Sequence, residues 1–135
     1  MDTRRLVALS AGGVAGASLR WAAVTAAPPG GGFPWSVFVV NVVGSAVLGA
    51  ALAEDWRHPA RRRFWHDAVG VGFCGGLTTF STFAVELAAF LDAGRSGLAA
   101  TYLGASVAAG VGAALAGAAG LRRVAALRLP VEEAT

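Results

Sequence analysis

Lysine is absent from this sequence, cysteine occurs once, and charged residues make up only 14% of its 135 residues. The single cysteine, Cys74, excludes an intrachain disulfide, and its apolar neighbours favour a buried thiol over a reactive one. Soluble domains carry about a quarter charged residues. The scarcity of charge and a hydrophobic fraction of 56% therefore exclude an ordinary soluble fold. No cleavable signal peptide is expected, because the first apolar run leads into Arg20 without a small-residue cleavage site.

The charges that are present separate four apolar stretches of about 20 residues, the length that crosses a hydrocarbon core of about 30 Å. We predict transmembrane helices at residues 6–26, 33–53, 68–91 and 97–121, with a polar tail at 122–135. The connector 54–67 is charged and carries aromatic residues, which suit the headgroup level. The sequence therefore predicts a single all-α membrane domain with four transmembrane helices.

Small residues dominate the first and fourth predicted spans. The segments Gly13–Ala17 and Gly112–Gly117 consist almost entirely of glycine and alanine. Small residues let helix backbones approach closely where lipid removes the hydrophobic drive between helices. These segments are predicted to be packing surfaces.

The third span combines four glycines and four hydroxyl residues between Gly70 and Phe83. Each glycine makes a helix less favourable by about 1 kcal/mol relative to alanine. One explanation is structural: hydroxyls bond the preceding turn and glycines ease packing. The preferred explanation is a helix broken at mid-membrane depth, where unpaired carbonyls and amides form an ion site. Carbonyls around Gly75 and Thr78 would suit a small hard cation such as Na⁺.

Hydrogen-bond donors and aromatic rings follow the predicted break. Ser81 and Thr82 supply hydroxyls, and Phe80 and Phe83 lie three residues apart on one helix face. The edge of an aromatic ring is positive, so rings seen edge-on can line an anion path. Asn41, set among valines in the second span, requires a partner. An interhelical hydrogen bond and donation to an anion are both open for it.

Three segments, residues 12–20, 40–45 and 72–83, resemble the Fluc (CrcB) family of fluoride channels in order and spacing, and the resemblance extends from about Arg4 to Leu121. It implies an antiparallel dimer of four-helix subunits with two fluoride pores along the interface. The protein would export fluoride across the bacterial inner membrane and relieve fluoride toxicity. A structural Na⁺ shared between subunits would lie on the carbonyls of Gly75 and Thr78.

The same resemblance implies roles for individual side chains. Phe80 and Phe83 would lie at the anion path, with Asn41 near their rings, and Arg20 would lie near a pore entrance. Tyr102 and Ser106 match a polar track in the fourth span. The next step of that track is Gly110, where members of the family often carry a hydroxyl. Glu86 also matches, and we expect it to be neutral or paired.

Arginine is distributed unevenly between the two sides of the predicted bundle. Nine arginines lie on the side of the N-terminus, the 54–67 connector and the tail, against Arg95 alone on the other side, while Arg20 lies near a span end. This bias predicts a cytoplasmic N-terminus. We expect this subunit to pair with an oppositely oriented sister chain. Self-assembly that overrides the bias is the alternative.

Other functions fit the sequence less well. A small proton-coupled multidrug transporter is the nearest alternative, but it needs an acid in span one, whereas the only acid well within a span is Glu86. A purely structural subunit would not need an asparagine, a break and paired phenylalanines together. An enzyme is not expected, because no nucleophile–base pair is apparent and neither His58 nor His66 belongs to a recognisable set of metal ligands. The arginine excess indicates topology and lipid headgroup contact, not a nucleic-acid partner.

Overall fold

The computed structural model describes residues 2–27, 30–53 and 63–127, and this part of the chain is helical apart from short connections. Its four candidate membrane spans are Thr3–Ala26, Trp35–Ala53, Arg63–Asp92 and Ser96–Leu127. The protein is therefore an all-helical, multi-pass membrane protein. Predictions for residues 28–29, 54–62 and 128–135, among them those for Trp56, His58 and four of the nine arginines, lie outside the described residues.

Three of the four spans are single α-helices, and the third is divided. The elements are α1 (Thr3–Ala26), α2 (Trp35–Ala53), a π-helical segment (His66–Phe73), α3 (Cys74–Leu77), α4 (Phe80–Asp92) and α5 (Ser96–Leu127). Gly94 has a φ of 71° and turns the chain between α4 and α5. Helix α5 continues six residues beyond the predicted span end, because a helix can project past the apolar layer.

The third span begins earlier in the structure than its apolar run does in the sequence. Residues Arg63 to Trp65 are already helical, although they belong to the predicted connector. Asp67 pairs with Arg5 of α1, whose Nε lies 2.6 Å from Asp67 Oδ2. This ion pair lets the charged start of the third span pack against α1 as helix.

Helix α1 contacts the third span through glycines. A methyl group on Gly12 or Gly16 would overlap the carbonyl oxygen of Ala68 or Phe73, and one on Gly76 would overlap that of Gly13. Backbone therefore meets backbone along this contact, which is how small residues pack helices in a membrane.

Helices α2 and α5 also pack closely at glycines. Gly49 of α2 lies against the Ala114 carbonyl, and Gly117 of α5 lies against the Ala46 carbonyl. The predicted packing role is confirmed for Gly117, whereas a β-carbon on Gly112 would meet nothing within 4 Å.

An aromatic core closes one end of the bundle. Val37, Phe83 and Tyr102 are its buried members, and Phe33 packs edge-on against Tyr102 with ring centroids 5.2 Å apart. Arg95 lies over the Phe90 ring, 5.4 Å from its centroid, and also donates to the Gly31 carbonyl. These contacts tie the two loops at this end together and fix α4 against α2 and α5.

Candidate functional site

The third span leaves helical conformation at Thr78 and Thr79, and we call these two residues the interruption. Thr78 has φ −80° and ψ 155°, and Thr79 has φ −144° and ψ 121°, so both are extended. In a continuous helix the Thr79 amide would donate to the Gly75 carbonyl. It donates instead to Asn41 Oδ1 at 2.8 Å. The Gly75 carbonyl is thereby released from its usual helical partner.

Asn41 of α2 satisfies both backbone groups of Thr79. Its Oδ1 accepts from the Thr79 amide, and its Nδ2 donates to the Thr79 carbonyl oxygen at 3.1 Å. This pairing fixes the orientation of the side-chain amide. In the flipped form, Nδ2 would face the Thr79 N–H and Oδ1 would face the Thr79 carbonyl oxygen. Thr79 is only 6% exposed, so its backbone groups need such partners. The interhelical hydrogen bond weighed for Asn41 is therefore present, and it leaves one Nδ2 hydrogen for another acceptor.

The Thr79 side chain caps the helix that follows. Its Oγ1 accepts from the Thr82 amide at 3.2 Å and donates to Thr82 Oγ1 at 3.0 Å, with Ser81 Oγ 3.3 Å away. A threonine N-cap of this kind satisfies an amide that the first helical turn leaves unpaired. The predicted donors Ser81 and Thr82 thus lie in the first turn of α4.

Arg20 of α1 reaches the interruption from the other side. Its Nη1 donates to the Thr78 carbonyl oxygen at 3.1 Å. The Thr78 hydroxyl donates back to the Cys74 carbonyl at 2.8 Å, and the Thr78 methyl lies where a β-carbon on Gly44 would be. The family resemblance implies that Arg20 lies near a pore entrance. In the structure it contacts the same carbonyl that was predicted to bind sodium.

An open cleft of about 550 Å³ lies beside the interruption, between α2, the third span and α5. Its lining is apolar with a few polar groups, and includes Asn41, Ser45, Gly75, Thr78, Thr79 and Ser106. The Phe80 and Phe83 rings complete it, with centroids 6.1 Å apart and planes at 41°. Phe80 is 80% exposed and Phe83 only 8%. The cleft is therefore open on the Phe80 side of a single chain.

Ser106 and Tyr102, one turn apart on α5, have different surroundings. Ser106 lines the cleft, and its shielded hydroxyl oxygen has no hydrogen-bond partner among the residues that the structure describes. Tyr102 is fully buried outside that lining, with its ring 4.9 Å from the Phe83 ring. Its hydroxyl donates to Glu86 Oε2 at 2.7 Å. The expectation that Glu86 is paired is confirmed, and the Tyr102 hydroxyl is committed to that pairing.

Folding brings together residues from three separate stretches of sequence. Asn41, Phe80, Phe83, Ser106 and the two predicted sodium-binding residues all line the cleft. Arg20, Ser81 and Thr82 border the interruption instead. Ser45 also lines the cleft and was not singled out from sequence. The available signal was its position one helical turn after Asn41, which puts both on one face of α2.

These features define a class: multi-pass membrane proteins in which polar side chains hold an interrupted helix beside an aromatic and hydroxyl-lined cleft. The chain belongs to the CrcB family, because residues 7–118 match the family described as "CrcB-like protein, Camphor Resistance (CrcB)".

Curated relatives extend over most of the chain. The fluoride-specific ion channel FluC 1 of Mycolicibacterium paratuberculosis is 41% identical over 112 residues, covering 82% of this chain and 84% of the relative. FluC of Deinococcus radiodurans is 43% identical over 116 residues, covering 81% and 88%. FluC 2 of Streptomyces avermitilis is 43% identical over 100 residues, covering 71% and 61%. All three are named as ion channels, and this family membership agrees with the prediction that the chain is not an enzyme.

Proposed function

We propose that the chain is a subunit of a fluoride-specific ion channel that lets fluoride leave the cell and so relieves fluoride toxicity. One observation carries this proposal: relatives named fluoride-specific ion channels are 41–43% identical to most of the chain. The cleft supports it, since it combines aromatic rings with uncharged hydrogen-bond donors, a lining suited to an anion.

The anion path runs along the cleft. The positive edges of Phe80 and Phe83 face the ion, and the Ser106 hydroxyl and the second Nδ2 hydrogen of Asn41 donate to it. Ser81 and Thr82 extend the donors along the first turn of α4, and the Tyr102 ring borders the path through its contact with the Phe83 ring. Conduction requires binding that is favourable enough to admit the ion and weak enough to release it. Neutral donors meet that need better than a full positive charge would, and Arg20 attracts anions from the border of the site.

A single chain leaves this path incomplete, and assembly into an antiparallel dimer would complete it. Phe80 is 80% exposed and Gly75 is exposed beside it, so one wall of the cleft is open. An oppositely oriented subunit would cover that side and form two pores along the interface. The interruption would then lie at mid-membrane depth, where irregular backbone must be covered by protein or water. The second subunit is either the chain itself or an oppositely oriented homologue.

The carbonyl oxygens at and just before the interruption are suitable ligands for a sodium ion. Carbonyl oxygens are ligands that hard cations accept, and the Gly75 carbonyl is released where the helix ends. The Thr78 carbonyl keeps one lone pair beside the hydrogen bond from Arg20. Two carbonyls are too few for such an ion, so Gly75 and Thr78 of a second subunit would complete the site. The bound ion would supply a fixed positive charge that holds the two interruptions together.

Two observations support an anion channel over proton-coupled multidrug exchange. The relatives carry the name of a fluoride channel, and the carboxylate of Glu86 accepts from Tyr102 and does not line the cleft. We place the channel in the bacterial inner membrane, with the arginine-rich side facing the cytoplasm.

The proposal is tested by fluoride efflux from liposomes that contain the purified chain, with chloride efflux as the control. Fast, fluoride-selective efflux from the chain alone would establish the channel and self-pairing. If the chain alone is silent, co-expression with a homologous subunit tests the heterodimer. Silence in both preparations would refute the fluoride channel.

A further inference from the structure

Gly110 leaves a gap in the hydroxyl side chains of α5, and the structure shows what faces that gap. Gly110 lines the cleft one helical turn after Ser106. A β-carbon built on Gly110 would lie 3.5 Å from Ser45 Oγ of α2, which is an ordinary van der Waals contact. The Ser45 hydroxyl therefore lies next to the position from which a side chain at residue 110 would project.

The Ser45 hydroxyl is not needed by its own helix. It donates to the Asn41 carbonyl at 2.8 Å. Within α2 that carbonyl is also the regular acceptor of the Ser45 backbone amide. The carbonyl stays satisfied when the hydroxyl turns away, so the hydroxyl can rotate and donate into the cleft.

Ser106 shows that the cleft contains a polar position without a protein partner. Its hydroxyl oxygen is shielded and unpaired within the described part of the chain. Shielded hydroxyls of folded proteins are normally hydrogen-bonded, so a species in the cleft is the natural partner. Ser45 and Ser106 line this cleft from α2 and α5, so hydroxyls from two helices face the same cleft.

We infer that Ser45 is an anion-contacting residue of the path, supplying from α2 the hydroxyl that Gly110 lacks on α5. This inference rests on the proposed function, because it names a further donor at the same site. Fluoride loses strong hydrogen bonds when it leaves water, so a missing donor would slow its passage. The hydroxyl of Ser45 replaces one of those bonds at the level of Gly110.

The test compares fluoride efflux from liposomes for the full-length wild type, Ser45→Ala, Gly110→Ser and the double variant. We expect Ser45→Ala to slow efflux about fivefold, the loss that removal of one hydrogen bond brings. Gly110→Ser added to Ser45→Ala should restore efflux to within about twofold of wild type, because it supplies an equivalent donor from α5. Ser10→Ala is the matched control, since Ser10 is exposed on α1 and lines a different groove.

A second variant separates lost chemistry from lost structure. Ser45→Cys keeps the size of the side chain but offers only a weak donor, so its efflux should fall between those of wild type and Ser45→Ala. Gel filtration of each variant verifies assembly. If wild type conducts fluoride and the Ser45→Ala and Ser45→Cys variants conduct it equally fast, the role of Ser45 is overturned while the channel function stands. A double variant as slow as Ser45→Ala would have the same meaning. Absence of fluoride efflux from wild type, alone and with a homologous subunit, would overturn the proposed function and this inference together.

Discussion

Asn41 and Thr79, 38 residues apart in sequence, form a reciprocal pair in which one side-chain amide binds both backbone groups of one residue. The extended backbone at Thr79 is stable because Asn41 Oδ1 replaces the helical acceptor that the Thr79 amide has lost, and Nδ2 adds a bond to the Thr79 carbonyl. Asn41 is therefore a structural anchor of the interruption as well as a member of the cleft lining.

Replacing Asn41 with Asp tests this anchor. The carboxylate can still accept from the Thr79 amide, but it cannot donate to the Thr79 carbonyl. We expect the free energy of unfolding to fall by about 1–3 kcal/mol, because a buried carboxylate oxygen without a donor would then face the Thr79 carbonyl oxygen. Fluoride efflux should fall at least about tenfold, which corresponds to about 1.4 kcal/mol in the barrier. Thermal unfolding in detergent and liposome efflux measure the two effects.

A matched control for Asn41→Asp is Thr101→Ala. It removes an exposed hydroxyl that bonds the Gly97 carbonyl at 2.9 Å and does not line the cleft. The control should leave unfolding and efflux near wild type. An Asn41→Asp protein as stable and as active as this control would show that the amide pair is dispensable.

Phe80→Ile and Phe83→Ile should both reduce fluoride efflux sharply while the assembly survives, because each removes a positive ring edge from the cleft. The two variants should differ in stability. Phe80 is 80% exposed, so its replacement should change the free energy of unfolding little. Phe83 is 8% exposed and packs against Tyr102. Replacing Phe83 removes buried volume and should lower the free energy of unfolding by about 1–3 kcal/mol. Undiminished efflux through both variants would mean that the pair only packs.

Gly117→Ala and Gly120→Ala form a matched pair on α5. A methyl on Gly117 would overlap the Ala46 carbonyl, whereas a methyl on Gly120 would meet nothing within 4 Å. Overpacking should destabilise Gly117→Ala by about 1–3 kcal/mol. Gly120→Ala should be neutral or stabilised by up to about 1 kcal/mol through helix propensity. Thermal unfolding of the two purified proteins checks the difference, and equal melting temperatures would argue against the close α2–α5 contact.

The arginine distribution predicts a predominantly cytoplasmic N-terminus. A compartment-sensitive reporter fused to each terminus in turn measures the orientation in cells. We expect one orientation to dominate for both fusions. Equal populations of the two orientations would exclude a dedicated sister chain and favour self-pairing.

Hydropathy and small-residue content were sufficient to predict the four helices and the close packing at Gly117, because both depend on local composition. The clustered glycines and hydroxyls likewise pointed to the segment where Thr78 and Thr79 are extended. The partners of polar side chains could not be predicted in this way. That Asn41 needs a partner follows from its valine neighbours, but its pairing with Thr79 depends on how α2 packs on the third span. The contacts of Arg20 with Thr78 and of Tyr102 with Glu86 are long-range for the same reason.

The anchoring of Thr78 and Thr79 by Arg20 and Asn41 also has a consequence for biosynthesis. Both anchoring residues precede the interruption in the chain, so the ribosome delivers them to the membrane first. When the third span emerges, its unpaired carbonyls and amide find donors and an acceptor already embedded on α1 and α2. The order of synthesis therefore makes these hydrogen-bond partners available before the polar segment of the third span emerges.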